Sequence, residues 1–274
     1  MEAIAGGLKF GGMLGAAWRY RHFVLSSIRK EYRARFARSK LGALWMIVHP
    51  LVNAAIFALV LAEVMSAKLP GMVGDRFAYA IYVTSGMLAW SLFAEVVSRC
   101  LGIFIESGPV MKKLYFPRIC LPLIVTGIAV LNNLLMYAAI LLIFALLGRL
   151  PTAAAALVPL LMLVPLALGL GLGLLLGVLN VFARDVGQVV PIVLQLAFWL
   201  TPIVYLPSML PPWVAPVIAA NPMTPVVEAY QHAMLGTGQP DWLALFAVTL
   251  LALGLLALAL FMFRRASVEL VDAL

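Results

Sequence analysis

The stretch TAAAALVPLLMLVPLALGLGLGLLLGVLNVF, Thr152 to Phe182, decides the fold class. It holds no Asp, Glu, Lys or Arg, and it exceeds the ~20 residues with which an α-helix crosses ~30 Å of hydrocarbon. Working outward, five further apolar runs read as spans: Leu44 to Met65, Ala78 to Phe104, Ile119 to Leu147, Val189 to Tyr205 and Trp242 to Phe263. A transmembrane barrel would alternate apolar and polar residues, whereas these runs are unbroken. The composition agrees: 274 residues are 65% hydrophobic and 11% charged, where a water-soluble domain is nearer half apolar and a quarter charged. The expected class is an all-α membrane protein with six transmembrane helices.

Between the fifth and sixth spans lies 206–240, apolar but cut by Pro207, Pro211, Pro212, Pro216, Pro222 and Pro225. That many breakers exclude one continuous helix. Two half-helices that dip into the bilayer and return fit better, provided protein covers their broken backbone. The domain reading is a cytoplasmic segment over 1–43, followed by a six-helix membrane domain over 44–274 that includes this re-entrant hairpin.

The net charge of +8 does not indicate nucleic acid, because the basic residues flank apolar runs and form no soluble basic face. Lys9, Arg19, Arg21, Arg29, Lys30, Arg33, Arg35, Arg38 and Lys40 precede the first span. Lys112, Lys113 and Arg118 follow the second, Arg184 the fourth, and Arg264 and Arg265 the sixth. The opposite loops carry only Lys68, Arg76 and Arg149. By the positive-inside rule both termini are cytoplasmic and the hairpin is periplasmic. The first apolar run begins near Leu44, after the long basic segment, so no cleavable signal peptide is expected.

Within Trp18 to Arg38, the residues Trp18, Leu25, Tyr32 and Phe36 recur near helical spacing among Arg29, Lys30 and Arg35. The pattern suits an amphipathic helix in the headgroup layer; a plain topogenic flank would carry the same charge. After the second span, Gly108 and Pro109 are expected to break the helix and Pro117 to end the piece that follows. Val110 to Phe116 would then form about two turns, with Val110 and Leu114 on one side and Lys112 and Lys113 on another. Spacing alone favours an ordinary positive-inside loop over a docking element.

No G-x-x-x-x-G-K-[ST] phosphate loop occurs in the sequence, so ATP hydrolysis by that route is excluded for these residues. His22, His49 and His232 lack metal-ligand spacing, and no metal or cofactor is expected on the chain. Cys100 and Cys120 carry no redox or metal motif and read as small apolar residues. Glu95 and Arg99 lie four apart with the acid first, the favourable order for a helical ion pair. They either neutralise each other within the span or wall a hydrophilic conduit. Gly169, Gly173 and Gly177 share one face, a ridge of small residues for close helix packing, with a subunit interface as the alternative. Asn53, Asn132, Asn133, Asn180 and Gln195 read as interhelical hydrogen-bonding groups. Among the aromatics, Tyr82, Trp90, Phe93, Phe198, Trp199 and Tyr205 are candidates, with Glu95 and Arg99, for the lining of a path that suits the apolar faces of sugars.

Four segments carry a resemblance. RKEYRARFARSKLGALWMIVHPL (Arg29 to Leu51), SGPVMKKLYFPRICLPL (Ser107 to Leu123), FARDVGQVVPIVLQLAFWLTPIVY (Phe182 to Tyr205) and NPMTPVVEAYQHAML (Asn221 to Leu235) resemble, in this order, segments of permease subunits of bacterial polysaccharide-export ATP-binding-cassette transporters. Those serve O-antigen, capsule and teichoic acid. KKLYFPR (Lys112 to Arg118) looks closest to O-antigen permeases, while RARFARSKLGALW is also similar to capsule permeases. The resemblance implies a homodimer with two copies of a separate ATPase, which would hold ATP and Mg, and export of lipid-linked polysaccharide to the periplasm. It makes Gly108, Pro109, Val110, Lys112, Lys113, Leu114, Tyr115, Phe116, Pro117 and Arg118 a coupling helix seated on that ATPase. It also makes Trp18, Arg29, Lys30, Tyr32, Arg35 and Phe36 part of an interfacial or gate helix. The alternatives are a drug or small-lipid exporter of similar architecture and an intramembrane lipid-modifying enzyme. The enzyme would need a cluster of ionisable groups within its spans, and the sequence offers little beyond Glu95 and Arg99.

Overall fold

A computed structural model describes residues 15, 18–36, 48, 52, 78–113, 117–146, 148, 152–236 and 238–266. The predicted first span, Leu44 to Met65, lies outside the described residues apart from residues 48 and 52. Among the described residues the chain is helical and contains no strand. In chain order the helices are α1 (Arg21–Phe36), α2 (Ala78–Lys113), α3 (Cys120–Leu146), α4 (Val158–Leu161), α5 (Leu163–Phe182), α6 (Val186–Trp199), α7 (Ala215–Ala220), α8 (Met223–Leu235) and α9 (Trp242–Ala266). Short 3-10 turns cover Ala153–Leu157 and Pro207–Met209.

Among the described residues, four helical stretches are long and apolar enough to cross a membrane: Ala78–Pro109, Cys120–Leu146, Ala153–Phe182 and Trp242–Phe263. They match four predicted spans. The bounds of the predicted Val189 to Tyr205 helix are corrected: α6 begins at Val186, has 14 residues and stops at Trp199, a length of ~21 Å against ~30 Å of hydrocarbon. The physical reason lies in the next residues. Pro202 lacks an amide N–H, and the carbonyls of Pro202, Val204 and Tyr205 accept bonds from the side chains of Tyr82, Tyr79 and Gln231. Tertiary donors thus hold the chain in a buried turn.

The centre of the molecule is α2. Leu88, Leu92, Val96, Cys100 and Phe104, spaced four residues apart, are all essentially inaccessible, which is the stripe an internal helix buries. α2 packs against α5, α8 and α3, and α9 covers the far side of α5. The small-residue ridge of α5 faces α2. A side chain at Gly173 would stand 2.8 Å from the Cys100 Cβ, and one at Gly177 would collide with the Cys100 carbonyl oxygen. Gly171 on another face gives room to the α9 backbone at Leu255 and Leu256. The ridge therefore serves packing within one chain, bringing backbones closer than any Cβ permits.

Outer faces are apolar. Leu243, Phe246, Leu250, Leu253 and Phe261 of α9 are exposed, as are Val189, Ile192, Val193 and Leu196 of α6. Contiguous apolar surface of this kind is solvated by lipid or covered by another chain. At its start α9 is capped by Asp241, whose Oδ1 accepts the amides of Leu243 and Ala244 at 3.0 Å. α8 ends at Gly236, whose φ of +68 supplies the left-handed residue that terminates many helices.

Candidate functional site

Two ends of α2 carry the polar chemistry. At the end that leads into the Gly108 to Arg118 loop, five side chains from three helices form a continuous network. Arg99 of α2 donates from Nε to Glu95 Oε1 at 2.8 Å and from Nη1 to Glu31 Oε1 of α1 at 2.8 Å. Asn132 of α3 donates to the same Glu95 oxygen at 2.6 Å, and Tyr32 of α1 donates its hydroxyl to Asn132 Oδ1 at 2.6 Å. Every strong donor meets a carboxylate or amide oxygen, so one cation and two acids are accommodated between apolar helices. The Glu95–Arg99 pair is present as the spacing anticipates. It is also a junction, because Glu31 and Tyr32 use it to fasten α1 to the bundle.

The apolar face of α1 divides. Val24 and Ile28 are buried against Cys120 and Ile128 of α3, with Tyr20, Phe23 and Tyr32 packed around them. Trp18 and Leu25, expected on the same stripe as Tyr32, are instead exposed at 72% and 61%. The stripe spaced by four (Tyr20, Val24, Ile28, Tyr32) follows one face of a helix, and α3 takes it. Trp18 stacks its ring 4.8 Å beneath the Arg21 guanidinium. Arg29 and Lys30 are exposed, and the side chains of Arg35 and Phe36 lie outside the described residues.

The expected helix break at Gly108 and Pro109 is corrected. α2 runs through both to Lys113 as one helix of 36 residues, ~54 Å at 1.5 Å per residue. An internal proline costs ~3 kcal/mol through one lost hydrogen bond and a clash, and here it falls within the last turns of a helix packed by three neighbours. Because ~30 Å suffices to cross hydrocarbon, α2 projects well beyond it and carries the basic loop with it. The side chains of Val110, Lys112 and Lys113, and residues Leu114, Tyr115 and Phe116 altogether, lie outside the described residues. Pro117 and Arg118 form the turn into α3, with Cys120 N bonded to Pro117 O at 2.9 Å and Leu121 N to Arg118 O at 3.0 Å.

At the other end, α8 is inserted among the longer helices. Val227, Ala229 and Tyr230 are fully buried, as are Ile203 and Thr201 of the turn after α6. The Tyr82 hydroxyl lies 3.0 Å from Pro202 O and 2.9 Å from Tyr205 O, Tyr79 donates to Val204 O at 2.8 Å, and Gln231 donates to Pro202 O at 2.9 Å. Asn221 donates to Thr201 Oγ1 and accepts the Met223 amide, which fixes the start of α8.

Of the candidate lining aromatics, Tyr82, Trp90 and Phe93 lie in the core of the chain. Trp90 makes edge contacts with Phe93 at 5.5 Å and with Phe198 at 5.8 Å. Trp199 is exposed at 54%, and Tyr205, partly buried, bonds back to Trp199 O. Asn133 and Asn180 donate across to the Leu88 and Leu101 carbonyls of α2, the interhelical role expected of them. Gln195 is exposed on α6. Cys100 and Cys120 are buried free thiols.

Glu31 is the site residue that sequence reasoning missed. Its signal was present: one acid set among Arg29, Lys30, Arg33 and Arg35. Its partner lies 68 residues away, beyond any helical spacing.

A family model described as "ABC-2 type transporter" matches residues 23–235, from α1 through the last turn of α8. This chain belongs to that family. Membership makes it a multi-pass membrane permease and implies association with an ATP-binding subunit. Similar proteins include an O-antigen export system permease protein RfbA of Klebsiella pneumoniae, 26% identical over 85% of this chain and 88% of that one. A protein of the same name from Myxococcus xanthus is 27% identical over 87% of this chain and 90% of that one. Within this ABC-2 permease, the matched region contains both polar centres and the projecting end of α2.

Proposed function

We propose that this chain is the membrane subunit of an ATP-driven exporter that moves lipid-linked polysaccharide, of the O-antigen class, from the cytoplasm to the periplasm. The observation that carries this reading is the near full-length similarity to permeases named for O-antigen export. Two copies of the chain would enclose a continuous path, and two copies of a separate ATPase, holding ATP and Mg, would drive it. A long polymer suits such a path, since no closed cavity could contain it.

In this reading both termini are cytoplasmic, Leu44 to Met65 supplies the first of six spans, α6 together with the buried turn that follows it supplies the fifth, and α7 and α8 form a periplasmic re-entrant hairpin. The burial of α8 supports a re-entrant role, because its backbone at membrane depth is covered by protein. The length of α2 supports the coupling role of Gly108 to Arg118. A rigid helix that extends beyond the bilayer can pass a displacement at its tip to Arg99, and from there to α1 through Glu31. ATPase closure would thereby move the loop, α2 and the interfacial helix as one unit.

The test is co-purification of the tagged chain with its neighbouring gene products, followed by an ATPase assay. A stable complex that hydrolyses ATP is expected, and Tyr115→Ala with Phe116→Ala should keep the complex in the membrane while uncoupling hydrolysis from export. A chain recovered with no ATPase bound, or wild-type export by the double variant, would overturn the corresponding assignment.

A further inference from the structure

A cleft of about 520 Å³ opens between α1, the loop end of α2 and the start of α3, within the size range of small-ligand sites. Its polar lining is Glu31, Ser98, Arg99, Glu106 and Ser107, and α3 contributes an apolar wall that includes Leu121, Ile124 and Ile128. On α2 the lining residues Ser98 and Arg99 are followed two helical turns later by Glu106 and Ser107, with Ile103 between them. One face of the helix thus turns these polar groups toward the cleft from within an otherwise apolar span.

Charge decides what fits. Arg99 is already bonded to two carboxylates, Glu95 and Glu31. Glu106 has no ion-pair partner among the described residues, and its carboxylate folds back over Gly102, where an added Cβ would stand 2.7 Å from Oε1. Among the described lining residues the cleft is therefore anionic on balance, with Arg99 as the one cation and with hydroxyl donors at Ser98 and Ser107. A diphosphate entering here would meet more negative than positive charge in a medium of low dielectric. A zwitterion that carries an ammonium as well as a phosphate finds a partner for each charge, and a lipid tail finds the α3 wall.

We propose that this cleft binds the headgroup of an amine-bearing zwitterionic phospholipid, its ammonium on Glu106 and its phosphate near Arg99 and the two serine hydroxyls. Two of the walls belong to helices long and apolar enough to span a membrane and the third to the amphipathic helix α1, so the occupant arrives from the bilayer; that it is the cytoplasmic leaflet rests on the orientation proposed above. The lipid would bridge α1 and α2 beside the loop and stiffen the junction that Arg99 and Glu31 already make. Its anionic balance disfavours the cargo's diphosphate.

The test is native mass spectrometry of the full chain, purified from nanodiscs containing phosphatidylethanolamine and phosphatidylglycerol in equal amounts. Lipid retention is read on this chain whatever its cargo, so the outcome is independent of the exporter assignment. Phosphatidylethanolamine should be retained over phosphatidylglycerol by roughly tenfold or more, the scale of one charge-assisted hydrogen bond. Glu106→Gln should abolish the preference, and so should Ile124→Trp, which fills the apolar side and leaves every charge in place. Glu228→Gln, on α8, should leave it unchanged. Equal retention of the two lipids by the wild type, or a preference that survives both cleft variants, would overturn the proposal. Displacement of the lipid by free phosphoethanolamine would show that the amine comes from solution. Photocrosslinking from position 124 to a partner protein instead of lipid would assign the cleft to that protein; either result would overturn the lipid assignment.

Discussion

Arg99 occupies the place where three helices are tied by charge. Removing it leaves Glu95 and Glu31 facing each other between apolar segments, and removing Glu31 frees α1 from the pair. Because the three side chains retain 23% to 39% exposure, screening limits each loss to about 1 kcal/mol. Glu31→Gln and Arg99→Gln should each lower the thermal midpoint of the solubilised chain. The double variant should lose less than the sum, since the two share one interaction; strict additivity would show that the bond contributes nothing to holding α1. Much of this site was legible in the sequence. Glu95 and Arg99 announce themselves by spacing on one helix, Asn132 by its polarity within an apolar run, and Tyr32 by its place on the apolar face of α1. Glu31, and the bond from Tyr32 to Asn132, were not legible, because those partners are brought in by tertiary packing across nearly the whole first half of the chain.

The elements themselves were legible where they are long. α2, α3, α5 and α9 follow directly from uninterrupted apolar runs, since hydrocarbon leaves a backbone little choice but helix. Local rules misled at two ends. Pro109 read as a stop, yet packing against three neighbouring helices outweighs its cost. The helix of the fifth predicted span was expected to reach Tyr205, yet Tyr79, Tyr82 and Gln231 capture its carbonyls and end it six residues earlier, at Trp199. Both are cases of tertiary contacts deciding what local propensity leaves open. The α2–α5 contact offers a direct check. Gly177→Ala would drive a methyl group into the Cys100 carbonyl, a backbone atom that cannot swing away, and should cost about 1–3 kcal/mol. Gly254→Ala, where nothing lies within 4 Å, should be neutral or gain up to ~1 kcal/mol of helix propensity. Thermal midpoints of the two variants in the same detergent decide it, and equal midpoints would contradict the close approach.

At the scale of the whole molecule, a central helix longer than the bilayer is thick links the buried helix α8 at one end to a basic loop and an amphipathic helix at the other. That arrangement suits a subunit that receives motion from outside the membrane. Its account as a polysaccharide exporter is tested most directly by deleting the gene in its own host and following the polymer. The account predicts that lipid-linked polysaccharide accumulates on the cytoplasmic side and disappears from the cell surface, and that the wild-type gene restores it. Polymer that still reaches the surface in normal amount, with no accumulation inside, would contradict it.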